Sequence, residues 1–426
     1  MVVLAVAGAV GVTTFSSPGT PTPHPTPQCV TPRVQAPLST AQSSTGSSSA
    51  PATSATIYTS LTGDANEPQQ AQDILLAEQL AVQQAGGNAG DVAVSLVPLG
   101  NQTGSVGQSD PSQTAANARR AAVDPAARAY IGEFDSDASK ISIPILNQAG
   151  VIEISPSNTY LGLTRNAAPG EPAKYYPTGT RSYARVIPND AVEAAAAVSY
   201  MRDCHVRSVY VVSDEASGEQ GLASAVATDA RETGIRVVGT SPFAGTDPRS
   251  LASQVVASRP SATFFSGSSV TDALTMWHDV HAVAPSVKLF ASHGVAAPGF
   301  AAAMGSAQQV TYLTAPVLAA RCYPPAGQAF FANFARMHGH EPSQYAIFGF
   351  VAMQRILEAL ANSTADKFAV RQAFFHSGEQ PSAIGTFGID PNGDTTLSSY
   401  GGYRVLHHTL VFDRVLHTES TPSTTC

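Results

Sequence analysis

Charge is scarce in this chain: 13% of its 426 residues are Asp, Glu, Lys or Arg, and the net charge is −8. Arg119-Arg120 is an isolated basic pair rather than part of a stripe, so the electrostatic footprint of a nucleic-acid-binding surface is missing. Cysteine is rarer still. Cys29, Cys204, Cys322 and Cys426 stand far apart, without a Cys-x-x-Cys or a paired Cys/His spacing, which argues against a structural zinc site. In an exported protein they allow one disulfide, whose partners the sequence leaves open; Cys204, at a predicted helix end, reads as a small buried residue. There is no Gly-x-Ser-x-Gly elbow, no Walker loop and no Gly-x-Gly-x-x-Gly after a strand. The usual marks of hydrolases, nucleotide triphosphatases and dinucleotide enzymes are therefore lacking. No catalytic residue, metal site or cofactor is expected.

What is present is apolar content, 43% of the chain, enough at this length for more than one core. Met1 to Val12 is small and apolar, of signal-segment length and too short to span a bilayer alone, without a basic flank. Residues 1–15 are thus expected to be an export or anchor segment that is truncated at its start. Residues 16–56 are dominated by Pro, Thr, Ser, Ala and Gly and read as an extended linker that cannot bury enough surface to fold.

From Ile57 the pattern changes to strand, polar loop and amphipathic helix in alternation. Ile57 to Leu61 reads as a strand, Gln69 to Ala85 as a helix stopped by Gly86-Gly87, and Val92 to Pro98 as a strand. A helix from Pro111 to Val123 and a strand from Ala127 to Phe134 follow. That strand empties into Asp135-Ser136-Asp137-Ala138-Ser139; after a helical stretch, Val151 to Ile154 empties into Ser155-Pro156-Ser157-Asn158-Thr159. In a parallel α/β sheet both hydroxyl-rich loops lie on one edge, where helix-start N–H groups and hydroxyls can hold a small polar ligand.

A second series of the same kind begins after Arg185-Val186-Ile187-Pro188. Asp190 is placed to cap a helix to Met201. Predicted strands at Arg207 to Ser213, Ile235 to Thr240, Ala262 to Ser266 and Val287 to Ser292 alternate with helices at Gly221 to Thr233, Asp247 to Ser258 and Thr271 to Val283, the last opened by a capping box at Ser269 and Asp272. Two wound sheets in one chain imply two α/β lobes. The C-terminal part departs from strict alternation, with helices at Ala326 to His338 and Ser343 to Asn362 and closing strands at Tyr400 to Val405 and Thr409 to Val415.

The order of these pieces resembles type I periplasmic binding proteins, in particular the branched-chain amino acid (Leu/Ile/Val) binding proteins of ABC-type importers. The resemblance runs from Ile57 to about Val415. It is carried by Thr59 to Asn66, the two hydroxyl-rich loops, Arg185 to Asp190, Phe348-Gly349-Phe350, Gly385-Thr386-Phe387 and Asn392-Gly393-Asp394. It implies two Rossmann-like lobes in a Venus-flytrap arrangement, joined by three crossovers near Arg185, Ser292 and Gly385. Lobe 1 would comprise 57–185 with 293–385, lobe 2 186–292 with 386–416, and a tail 417–426. It also implies a ligand held between the lobes, which close by hinge motion.

Carried across residue by residue, the resemblance assigns Ser136, Ser157 and Thr159 to gripping a carboxylate, with Asp137 and Asn158 beside them in the same loops. Ser217, Ser268 and His293 fall where the second lobe of the family contributes. His293 stands where the family has the acid that holds the ligand's ammonium group, and a neutral imidazole would supply no negative charge. Asp135 and Asp137 also depart from the family and are expected to favour a helix N-terminus. The resulting expectation is an extracytoplasmic, monomeric solute-binding protein, serving a small-molecule ligand and a membrane permease but no nucleic acid. The alternative is the ligand-sensing region of a signalling receptor.

Overall fold

The computed structural model describes residues 53–61, 68–100, 110–214, 217–243 and 247–418. The segment 1–15, most of the linker 16–56 and most of the tail 417–426 lie outside the described residues. Order starts earlier than the composition suggests. Thr53–Ser60 is one strand, and its first four residues run parallel to Val92 through Ser95. Residues 53–56 thus gain a ladder partner that their composition does not reveal.

Two sheets form. The first has six strands in the order Asn88–Ala89, Val92–Pro98, Thr53–Ser60, Ala127–Gly132, Ile152–Ser155 and Tyr183–Arg185, parallel but for the two-residue edge. The second has seven, Thr409–His417, Ser399–Leu406, Thr311–Ala315, Lys288–Ala291, Ala262–Ser266, Ser208–Ser213 and Arg236–Pro242, of which the first two form an antiparallel hairpin at the edge.

Residue alternation puts a core on each face of each sheet. Ile57, Ile131 and Ile154 face the layer formed by the helices Pro68–Gln84 and Ala346–Ala361, while Tyr58 and Tyr130 face Ala118 and Leu146 on the opposite side. In the second sheet Val212, Phe265 and Leu289 share one core, and Val211, Phe264 and Phe290 the other. The two helices of the first lobe approach so closely that a Cβ on Gly349 would lie 2.6 Å from Ile74 Cγ2. Any larger residue there would push the helices apart.

The lobe boundaries differ from those expected at 293 and 385. Thr311–Ala315 pairs with Lys288–Ala291 in the second sheet, and Val295, Phe300, Met304 and Leu313 belong to its core. The chain returns to the first lobe only at Val317, and Phe387 and Ile389 still pack in the first core. The second and third crossovers thus follow Ala315 and precede Ser399. The lobes divide at the edge of buried surface and not at the loops where the sequence changes character.

In each sheet the chain reverses direction once, beside Thr53–Ser60 in the first and beside Ser208–Ser213 in the second. At such a reversal the loops leaving neighbouring strands diverge and open a crevice at the C-terminal strand ends.

Candidate functional site

A cleft of about 600 Å³ lies between the two sets of strand ends. Its lining follows the strands in order. Phe134 to Ala138 come after Ala127–Gly132, Ser157, Thr159 and Tyr160 after Ile152–Ser155, Gly218 and Glu219 after Ser208–Ser213, Ser268 and Val270 after Ala262–Ser266, and His293 and Gly294 after Lys288–Ala291. Glycine is required at one of these turns, because a Cβ on Gly294 would stand 2.6 Å from the carbonyl oxygen of Gly267.

Of the residues singled out from sequence, Ser136, Asp137, Ser157, Thr159, Ser268 and His293 line this one cleft. Asn158 does not. It is buried, its amide nitrogen donates to the carbonyls of Glu133 and Phe134, each at 2.9 Å, and its oxygen accepts from Ser139 Oγ at 2.6 Å and Tyr183 OH at 3.1 Å. With donors and acceptor engaged, Asn158 fastens one strand-end loop to the other and faces no ligand. Ser217 opens the helix Ser217–Glu232 instead of preceding it, and its neighbours Gly218 and Glu219 supply the cleft wall.

The first-lobe wall is built around the start of the helix Ser136–Ala149. Its N-cap Asp135 makes no side-chain hydrogen bond to the first turn, so the helix-start N–H groups keep their capacity for an anion at the cleft. Ser136 Oγ accepts from Tyr160 N at 3.3 Å, and Ser157 Oγ donates to Phe134 O at 2.9 Å. Asp137 is 73% exposed on its side chain and pairs with Lys140 at 2.5 Å, placing it on the rim. Beneath the loop, fully buried Arg185 donates to Asn158 O at 3.0 Å and Tyr160 O at 2.9 Å.

The second wall carries acids that sequence reasoning missed. Asn189, not Asp190, caps the helix Asp190–Asp203, accepting from Ala191 N and Val192 N. Asp190 is thereby left to line the cleft, 5% exposed. Burial pushes its carboxyl up to about 6, against the pull of His293. Glu219 stands near it, its Oε2 accepting from Ser266 Oγ at 2.7 Å, and burial pushes it up to about 7. The signal was available as the tandem Asn189-Asp190: one residue suffices to cap a helix, and the other was spare.

His293 is not a neutral imidazole. Its backbone N–H donates to Glu193 Oε1 at 2.8 Å, its Nδ1 lies 2.5 Å from Oε2, and Thr314 Oγ1 also donates to Oε1 at 2.7 Å. Burial alone would lower the ring's pKa; the Glu193 carboxylate, helped by Glu219 and Asp190, more than reverses this and raises it to about 9. Burial acts on Glu193 in the opposite sense, but His293 holds its carboxyl below the ordinary value. The pair forms a fixed cation and anion, and the carboxyls that line this wall are those of Asp190 and Glu219.

Several contacts bridge the lobes, among them Tyr403 OH, which donates to Val317 O at 2.8 Å. The Tyr160 ring lies against the start of the helix Ser217–Glu232, such that a Cβ on Gly218 would be 3.7 Å from its Cδ2. Gln344 Nε2 donates to Ala296 O at 2.9 Å. Elsewhere, Cys322 is disulfide-bonded and Cys204 is a free thiol, half-buried. Among the described residues no group of His, Cys, Asp and Glu could hold a metal ion, and no helix is long and apolar enough to cross a membrane.

The profile of the family described as periplasmic binding protein matches residues 57–399. An amino acid binding protein of Pseudomonas aeruginosa is 23% identical over 302 residues, 69% of this chain and 76% of that protein. Among solved structures, a leucine binding protein, LivK, of Thermotoga maritima superimposes with a TM-score of 0.70 at 21% identity, covering 85% of this chain and 99% of the other. An ABC transporter substrate-binding protein of Desulfitobacterium hafniense in complex with Leu does so with a TM-score of 0.69 at 21% identity, covering 84% and 99%. These structural likenesses establish the two-lobed fold.

Proposed function

Because the chain belongs to the periplasmic binding protein family, a family of extracytoplasmic substrate-binding proteins rather than enzymes, we propose that it captures an amino-acid-like zwitterion between its lobes and presents it to the membrane permease of an ABC-type importer. One observation carries this reading. The cleft opposes an uncapped helix start with hydroxyls, on one wall, to the carboxyls of Asp190 and Glu219 on the other. A carboxylate suits the first and an ammonium group the second. Among the described residues neither carboxyl forms an ion pair, and the nearby cation, His293, is already paired with Glu193, so an incoming ammonium adds counter-charge to this wall. The lobes meet at Tyr160 and Gly218, and a ligand touching both walls favours that closed form.

A thermal-shift screen over amino acids, amides, short-chain acids and sugars tests this. A ligand that binds only the folded, closed form raises the melting temperature, and amino acids are expected to do so while simple acids and sugars do not. No shift with any of them at millimolar concentration would rule the reading out.

A further inference from the structure

Resting on that reading of the cleft, a further property concerns which amino acids fit. His293 lines the cleft with 13% of its side chain exposed, and its Nδ1 is engaged by Glu193, itself fully buried. The Nε2 edge therefore points away from Glu193, and among the described residues it has no hydrogen-bond partner. Glu193 is saturated in turn by His293 N, His293 Nδ1 and Thr314 Oγ1, so the ring cannot rotate without stranding a buried carboxylate. Glu219 shares the wall.

We infer that His293 Nε2–H is a specificity determinant that donates to an acceptor on the ligand side chain, so that the cleft selects amino acids bearing a carboxamide over aliphatic ones. A carboxamide matches both neighbours at once, its oxygen accepting from the imidazole and its NH₂ donating to Glu219. An aliphatic side chain of the same length would desolvate the imidazolium and Glu219 without replacing their water. A side-chain carboxylate would accept from His293 but meet Asp190 and Glu219 around the cleft. At neutral pH the ring keeps its proton, since it titrates at about 9.

The test compares glutamine and asparagine with norleucine and leucine by isothermal titration calorimetry, on the wild type, His293→Ala and Glu193→Gln. Wild type is expected to prefer glutamine over norleucine roughly ten-fold or more, the worth of one charge-assisted hydrogen bond, and His293→Ala to abolish the preference. Glu193→Gln keeps the shape but removes the charge that sustains the imidazolium. Its preference should persist at pH 5.5 and fade by pH 8, whereas that of the wild type persists at both, a pattern that a packing role for His293 would not produce. If leucine or norleucine binds wild type as tightly as glutamine, this inference falls and the zwitterion reading stands. If no amino acid binds at all, both fall.

Discussion

Arg185 and Asp394 meet at 3.0 Å in the interior, their side chains 0% and 4% exposed. Arg185 ends the last strand of the first sheet, and Asp394 lies in the loop before the chain's third crossing. Asp394 also accepts from Arg165 Nε at 2.7 Å and Thr164 Oγ1 at 2.9 Å, while Arg185 N donates to Gly393 O at 2.8 Å. Since Arg185 also supports the carbonyls of Asn158 and Tyr160, the hinge and the ligand loop share one buried cation. Asp394→Ala strands that cation and should destabilise the protein by about 3–5 kcal/mol, measured by urea denaturation. It should weaken ligand binding as well; a loss under 1 kcal/mol would show that the pair is not structural.

Ser157→Ala should separate support from binding. The Ser157 hydroxyl donates to Phe134 O, so its removal should lower unliganded stability by about 1 kcal/mol. An unchanged unliganded midpoint in denaturant would mean that the hydroxyl serves the ligand alone.

Stability should fall as pH rises across the neutral range. Asp190 and Glu219 are raised to about 6 and about 7 in the fold, and His293 to about 9. For each, the native state holds its proton at pH values where the unfolded chain has released it. The contribution is complete below the unfolded values and is lost as pH climbs, through about 4 to 7 for the acids and about 6.5 to 9 for the imidazole. Glu133, raised by burial to about 8, acts in the same sense. The lowered carboxyls Glu193 and Asp394 oppose this only in acid. The unliganded melting temperature should be higher at pH 5.5 than at pH 8.5, by differential scanning calorimetry; the reverse order would contradict the cleft electrostatics. A cationic ligand should also expel protons from the acids near pH 6.5, visible as a dependence of the binding heat on the buffer's ionisation enthalpy.

At Gly218 the second lobe lies against Tyr160 of the first. An added methyl group would touch Tyr160 at an ordinary 3.7 Å, so Gly218→Ala should bind nearly as the wild type does. Gly218→Leu should hold the lobes apart, lowering affinity roughly ten-fold and abolishing any ligand-induced decrease in radius of gyration by small-angle scattering. Equal behaviour of the two variants would show that this contact plays no part in closure.

The elements of both sheets were legible because buried parallel strands are short apolar runs and their helices are bounded by caps and glycines. Ser269 caps Asp272 N as the capping box requires, and Val92–Pro98 and Pro111–Val123 match the expected bounds. The first-lobe wall was legible for the same reason, since its residues are consecutive in two loops. The second-lobe charges were not. Asp190, Glu193 and His293 are brought together by the pairing of Thr311–Ala315 with Lys288–Ala291, which seats Thr314 beside Glu193, and no local pattern marks that encounter. Glu193 itself sits one helical turn from Asp190 on a helix rich in alanine, where a single acid looks like solvent-facing decoration.

The three crossings also order events during synthesis. The first lobe's core combines Ile57 with Phe387, and the second lobe's sheet ends at Thr409–His417. A ribosome that has made only the first three hundred residues has therefore completed neither lobe. The contacts that close each core are far apart in sequence, and such contacts form slowly. The cleft is therefore assembled only after the last strands arrive, because each of its walls rests on a core that late residues complete.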